Sequence, residues 1–213
     1  MTHSEKHNPG IVSYSSLSYD TRQRFASYWH QIAEIMSLLP ERVLEIGVGS
    51  GFVSTYLRNQ NLPLTTLDTS CDLKPQIVGD VTQIPCADSS FDVVSCCEVL
   101  EHLPYELFPT ALSEIHRVSR RYAIVSLPDA GRVYRLALQV PMVPDKSLLY
   151  RFARFFKRSI DPDGLHCWEI GRKGYPLRMV VHDLQSAGFS IEKAYNVFEN
   201  PLHRFFVLRR VVN

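Results

Sequence analysis

The sequence predicts an α/β protein whose wound, mostly parallel sheet ends in an antiparallel hairpin. Three observations carry this prediction. Short apolar runs alternate with segments of helical period from Asp20 to Leu127, and strand–helix alternation builds parallel sheets. The run Phe91–Cys97 is nearly continuous in apolar residues, as in a strand covered on both faces. Two strand-like runs at the end, Phe189–Phe198 and Arg204–Val211, follow each other with no helix between them, which suits antiparallel neighbours.

Residues 1–18 are polar and Ser-rich and read as a flexible N-terminal arm, with the folded domain over 19–213. From Asp20 to Leu39, Phe25, Trp29, Ile32, Ile35 and Met36 recur at three- and four-residue steps. That is a helix with Asp20 or Thr21 as N-cap and Pro40 as its stop. Arg42–Ile46 is a first strand, followed by a glycine loop and a helix over Phe52–Asn59. Leu64–Leu67 is a second strand ending at Asp68, and Gln76–Val78 a weak third. Phe91–Cys97 is the fourth and Tyr122–Leu127 the fifth. Between those two, Pro104–Val118 is a helix with Leu107, Ala111, Ile115 and Val118 on one side. Residues 129–165 break the rhythm with several prolines and are expected to form an inserted helical lid. The lid's segment Leu148–Phe156 carries Leu148, Leu149, Phe152, Phe155 and Phe156, beside the basic Arg151, Arg154, Lys157 and Arg158. Three roles fit it: basic residues facing an anionic acceptor, an apolar face meeting a lipid surface, or a helix packed on the sheet. A helix over Pro176–Ser186 and a stop at Gly188 precede the final hairpin.

The bulk numbers bound the function classes. A chain of 213 residues with 45% hydrophobic and 21% charged residues is an ordinary soluble domain. A net charge of +1 argues against a general nucleic-acid binder. The five cysteines, Cys71, Cys86, Cys96, Cys97 and Cys167, include no CxxC pair, which fits a reducing, cytoplasmic setting. No apolar leader and no membrane-spanning run is read; peripheral membrane contact stays open, and no oligomeric state is implied.

The chemistry begins at Glu45-Ile46-Gly47-Val48-Gly49-Ser50-Gly51. Glycines directly after a first strand allow a sharp turn and close approach of a ligand to the backbone. Asp68 closes the second strand about 20 residues on, where a carboxylate accepts both ribose hydroxyls of an adenosine. A dinucleotide loop places its third Gly or Ala where this chain has Phe52. Glu45 would repel a pyrophosphate but suits the ammonium of a methionine moiety. The expected class is therefore adenosine-binding without a dinucleotide.

These residues resemble a known family. Val43–Gly51, Leu67-Asp68-Thr69-Ser70, Gly79-Asp80-Val81, Ile84-Pro85, Asp88–Asp92 and Glu98–Leu103 look like class I, Rossmann-like S-adenosylmethionine-dependent methyltransferases of the ubiquinone/menaquinone-biosynthesis type. The resemblance is close over residues 40–127 and holds in outline at the C-terminal hairpin. It implies that Gly47, Gly49 and Gly51 pass under the methionine part of the cofactor. Asp68, with Thr69 beside it, would take the ribose, and Asp80 the adenine amino group next to the Val81 amide. Cys97 would lie near the sulfonium.

Methyl transfer from a sulfonium is a displacement in which positioning counts most, and a hydroxyl acceptor also needs a base. Glu98, Glu101 and His102 follow the fourth strand and would share one face of a helical turn. Relatives that methylate quinone precursors or RNA 3′ ends hold a divalent cation on a Glu-x-x-Glu-His motif and a later His. Here that set is Glu98, Glu101, His102 and His166. The alternative is that these are capping and surface groups. His102, His166 and Glu98 are the candidates for acid–base work. The expected function is methyl transfer to a small-molecule acceptor, with a hydroxyl favoured. A nicotinamide-dependent oxidoreductase and a non-catalytic binding protein of the same fold are the alternatives.

Overall fold

The structure, a computed structural model, describes Tyr14 and residues 19–131, 133–138, 146–151 and 166–211. Four helices are described: α1 (Arg22–Ser37), α2 (Phe52–Asn59), α3 (Phe108–Val118) and α4 (Leu177–Ser186). The strands are β1 (Val43–Ile46), β2 (Leu64–Asp68), β3 (Ile77–Val78), β4 (Phe91–Cys97), β5 (Ser119–Pro128), β6 (Val133–Leu138), β7 (Lys146–Arg151), β8 (Phe189–Asn196) and β9 (His203–Arg210). Seven of them form one sheet in the order β3-β2-β1-β4-β5-β9-β8. The first five are mutually parallel, and β9 runs antiparallel to both β5 and β8.

Alternation along the central strands explains the two-sided core. Val43, Val93 and Ile124 face α1 and α2, packing with Ile35, Val53 and Leu57. Leu44, Val94, Ala123 and Val125 face the opposite side, with Leu112, Ile115, Val180 and Leu184 from α3 and α4. Each buried Leu, Ile or Val of this kind contributes about 1.5–3 kcal/mol of transfer free energy. The α1/α2 face also buries polar groups, but in pairs: Gln31 Nε2 donates to Ser95 Oγ at 3.0 Å. Thr21 caps α1, its hydroxyl accepting the Arg24 amide at 3.2 Å.

One expectation is corrected. The insertion read as a helical lid contains, in its described part, an antiparallel hairpin of β6 and β7, registered from Val133↔Arg151 to Leu138↔Lys146. A run as short as Leu148–Arg151 has no decisive period. A facing partner strand that opens with the strand-favouring pair Val133-Tyr134 supplies the ladder that settles it. Arg154, Lys157, Arg158, Phe152, Phe155 and Phe156 lie outside the described residues.

Strand order reverses at β1, whose neighbours β2 and β4 lead away in opposite directions. In wound sheets the crevice at the carboxyl ends of such strands is the ligand position. The segments that follow β1, β2, β3, β4 and β5 all open on that edge, and they carry the candidate residues.

Candidate active site

The candidate cofactor end is built on the glycine loop. Gly47, Gly49 and Gly51 have φ of 83°, 53° and 74°, a region L side chains rarely adopt. At Gly47 the constraint is double, because a Cβ would also run into Val99 Cγ2. Asp68 fastens this loop to β2: Oδ2 accepts the Val48 amide at 2.8 Å, and Oδ1 accepts the Ser70 amide at 2.9 Å. Thr69 sits between them at the strand end.

Glu45 is buried on β1, and its Oε2 has no hydrogen-bond partner. Burial pushes its carboxyl up to about 8, against a weaker pull from Arg58. A buried carboxylate edge without a donor is costly unless a ligand supplies one. Farther along, Asp80 Oδ1 accepts the Thr82 amide at 2.7 Å in an Asx turn, and the Val81 side chain is in the core. Arg117 on α3 braces this loop by donating to the Ile84 and Cys86 carbonyls, each at 2.8 Å. An open hollow of 640 Å³ adjoins Asp80 on that side, but neither the glycine loop nor Glu101 lines it. Cys97 lies at the end of β4, 3.6 Å from Ser95 Oγ, with its thiol pushed up to about 12 by burial, which disfavours the nucleophilic thiolate.

The start of the folded domain packs against this loop. Tyr19 Oη stands 3.6 Å from where a Gly49 Cβ would be. Arg24 donates to that hydroxyl at 3.1 Å and lies 4.1 Å from the ring centroid. Tyr28 Oη is 3.4 Å from Ser50 Oγ, and Tyr14 meets Tyr19 edge-on at 4.9 Å. Sequence reading missed these aromatics. The signal was present as tyrosines just before and within α1, but their contact partner is distant in sequence.

The acceptor end follows β4. Glu101, His102 and His166 each offer a ligand atom within 4.8 Å of the others. Glu101 is fully buried, and neither of its carboxylate oxygens has a hydrogen bond. Its Oε1 lies 4.0 Å from His102 Nε2 and 3.9 Å from His166 Nε2. Burial, reinforced by the nearby charge of Glu98, pushes the Glu101 carboxyl well above the usual range. His166 arrives from far along the chain because its segment is stitched to this turn. The Cys167 amide donates to Glu101 O at 2.8 Å, and Trp168 Nε1 donates to Leu103 O at 3.1 Å.

Glu98 is placed differently from the expectation. The turn after β4 is a short 3₁₀ turn over Leu100–His102, and Glu98 precedes it in a left-handed conformation with φ 54°. It therefore shares no helical face with Glu101 and His102. Ser126 Oγ donates to Glu98 Oε1 at 2.8 Å, and His203 Nε2 lies 3.4 Å from Oε2. His203, opposite Pro128 in the β5/β9 register, was not anticipated. Its Nδ1 is buried without a partner, and burial pushes its pKa down against the pull of Glu98. Only the antiparallel return of β9 brings it there, locked by Arg204 donating to Asp129 at 2.8 Å.

Comparison with known proteins agrees with this geometry. A family profile described as a methyltransferase domain matches residues 44–127. Malonyl-acyl-carrier-protein O-methyltransferase of Pectobacterium atrosepticum is 28% identical over 118 residues, which cover 48% of this chain and 46% of the relative. The matched stretch thus spans about half the length of that relative. Among solved structures, a protein of Pyrococcus horikoshii aligns with TM-score 0.62 at 15% identity, covering 96% of both chains. The 1,6-didemethyltoxoflavin-N1-methyltransferase of Burkholderia thailandensis, solved with S-adenosylhomocysteine, aligns with TM-score 0.57 at 15% identity, covering 96% of this chain and 93% of its own. The matched stretch holds the glycine loop, Asp68 and Asp80, and both the family profile and the curated relative are methyltransferases, a similarity that favours this class over the dinucleotide-dependent one the sequence left open; the solved structures share the Rossmann-like fold.

Proposed function

We propose that the chain transfers a methyl group from S-adenosylmethionine to a hydroxyl oxygen of a small molecule, with a divalent cation held at Glu101, His102 and His166. The observation that carries the cofactor half is the unpartnered, buried Glu45 beneath a glycine loop that Asp68 holds open. S-adenosylmethionine, when bound, supplies an electrophilic methyl on a sulfonium. Glu45 meets its ammonium, Asp68 its ribose, and Asp80 its adenine amino group, with the oxygen that the Asx turn leaves over. The observation that carries the acceptor half is Glu101, a fully buried carboxylate with two unbonded oxygens between two imidazoles. Mixed O/N donors of this kind suit Mn²⁺, Fe²⁺ or Zn²⁺ better than Mg²⁺. Glu101, His102 and His166 would hold such a cation, whose Lewis acidity would favour ionisation of an acceptor hydroxyl. His102, 45% exposed, is the more open of the two imidazoles and stands ready to take the proton if no cation is needed. The relatives include both O- and N-methyltransferases; the oxygen preference rests on the Glu101 cluster.

The first test is ligand choice. S-adenosylhomocysteine is expected to raise the melting temperature saturably by mass action, and NAD to leave it unchanged. Equal shifts from both ligands would overturn the cofactor assignment. Turnover against an acceptor library separates an enzyme from a binding protein of the same fold.

The second test uses pH. The free Glu45 carboxyl, at about 8, is largely protonated at neutrality, whereas an ammonium partner favours its ionised form. Binding therefore releases a proton, and affinity for S-adenosylhomocysteine is expected to rise from pH 6 to about 8, approaching tenfold per unit at most. The same raised pKa makes the folded state hold an extra proton between the ordinary 4.5 and about 8. That contribution to stability is complete at low pH and is lost as pH rises through that window. Glu45→Gln should flatten both dependences. Calorimetry across pH checks this; a pH-independent wild-type affinity would place the ammonium elsewhere.

A further inference from the structure

Glu169 stands outside the ligand set, yet its geometry gives it a defined task there. We propose that Glu169, clamped by Arg172, is a positioning residue that fixes the His166 ring with its proton on Nδ1 and turns the Nε2 lone pair toward Glu101. The purpose of this arrangement rests on the cation reading above; the geometry stands without it.

The distances set the tautomer. Glu169 Oε1 is 3.1 Å from His166 Nδ1, and Oε2 accepts from Arg172 Nε at 2.7 Å. An ionised carboxylate only accepts hydrogen bonds. His166 Nδ1 must therefore donate, which in the neutral ring leaves Nε2 unprotonated. Nε2 is the atom that lies 3.9 Å from Glu101 Oε1. The Arg172 guanidinium, donating to Oε2, favours the ionised form of the Glu169 carboxylate. Both clamp side chains are mostly buried, at 12% and 14% exposure.

The clamp is also mechanically stiff. The hydrogen bonds from Cys167 and Trp168 tie its segment to the Glu101–Leu103 turn. The Trp168 ring is wedged between Tyr105 and Phe108, at centroid distances of 4.8 and 5.0 Å. Beyond it, the Arg172 amide donates to Glu169 O at 3.2 Å. Carboxylates that receive the second ring proton of a metal-binding histidine orient the ring and raise its basicity. Their loss typically weakens metal binding by about 10–100-fold.

The test uses the full chain with histidine labelled by ¹⁵N, at a pH where the ring is neutral, and His166→Asn to assign the signals. Long-range ¹H–¹⁵N spectra are expected to show His166 protonated on Nδ1 in the wild type. The ring should revert to a mixture in Glu169→Ala, with partial rescue in Glu169→Gln, whose amide oxygen still accepts. In parallel, Mn²⁺ titrations followed by electron paramagnetic resonance should show affinity falling by about 10–100-fold in Glu169→Ala, with S-adenosylhomocysteine affinity unchanged. A wild-type ring protonated on Nε2 overturns the proposal even if the variants fail to fold. So does a Glu169→Ala protein that keeps both the tautomer and the Mn²⁺ affinity. Wild-type protein that ignores Mn²⁺ but shows the Nδ1 tautomer ends the cation reading and leaves the positioning role standing.

Discussion

Removing divalent ions with a chelator is expected to reduce methyl transfer by about two to four orders of magnitude, the rate equivalent of several kcal/mol of transition-state stabilisation. Added Mn²⁺ should restore it. Glu101→Ala should lose the activity and the rescue together, and His102→Ala should lose most of both. The physical ground is the state of Glu101: fully buried, without a hydrogen bond, and faced by two imidazole nitrogens at 3.9 and 4.0 Å. A carboxylate kept there against its desolvation penalty is a poor structural element. Glu101→Ala should therefore leave the melting temperature unchanged or raised while activity falls. That opposition separates a ligand from a core residue, and it is read by thermal denaturation beside a turnover assay with a responsive acceptor. Full activity in the chelated enzyme would remove the cation and leave His102 or His166 as a simple base.

Asp68→Ala is expected to weaken S-adenosylhomocysteine binding by about 10–100-fold or more, the equivalent of losing charge-assisted hydrogen bonds at about 1.5–3 kcal/mol each. Two losses coincide at this residue. The ribose loses its acceptor, and the glycine loop loses its tie to β2, because the same carboxylate receives the Val48 and Ser70 amides. Asp68→Asn should recover little, since one of its two positions would present an N–H group to a backbone N–H. Isothermal titration measures the effect, and near-wild-type affinity in Asp68→Ala would show that the ribose is held by other groups. The fold should survive, since Asp68 sits at a strand end and not in the core.

The central sheet was legible because its signals are local. Phe91–Cys97 is nearly continuous in apolar residues for the reason that became visible: Val93 faces one layer of helices and Val94 the other. Thr21 and Gly188 mark the start of α1 and the end of α4, as a cap and a positive-φ stop. The glycine loop, Asp68 and Asp80 stand at strand ends because turn chemistry is written in adjacent residues. The described part of the insertion was misread because a short apolar segment fits a strand as well as a helix until its partner is known.

The sequence by itself determined the fold class, the glycine turn after β1 and the residue types of the turn after β4. Each depends on spacing within a few turns of chain, where periodicity and backbone conformation act directly. Only the tertiary structure decided which side chains meet. It set Glu98 apart in a left-handed conformation and delivered His203 to it through the antiparallel return of β9. It placed Tyr19 and Tyr28 at the glycine loop and fastened the His166 segment to the Glu101–Leu103 turn through the hydrogen bonds of Cys167 and Trp168. Contacts between residues more than twenty positions apart have no local signature. They come from the cheapest burial of whole elements against one another, and they carry the proton and ligand geometry of the proposed site.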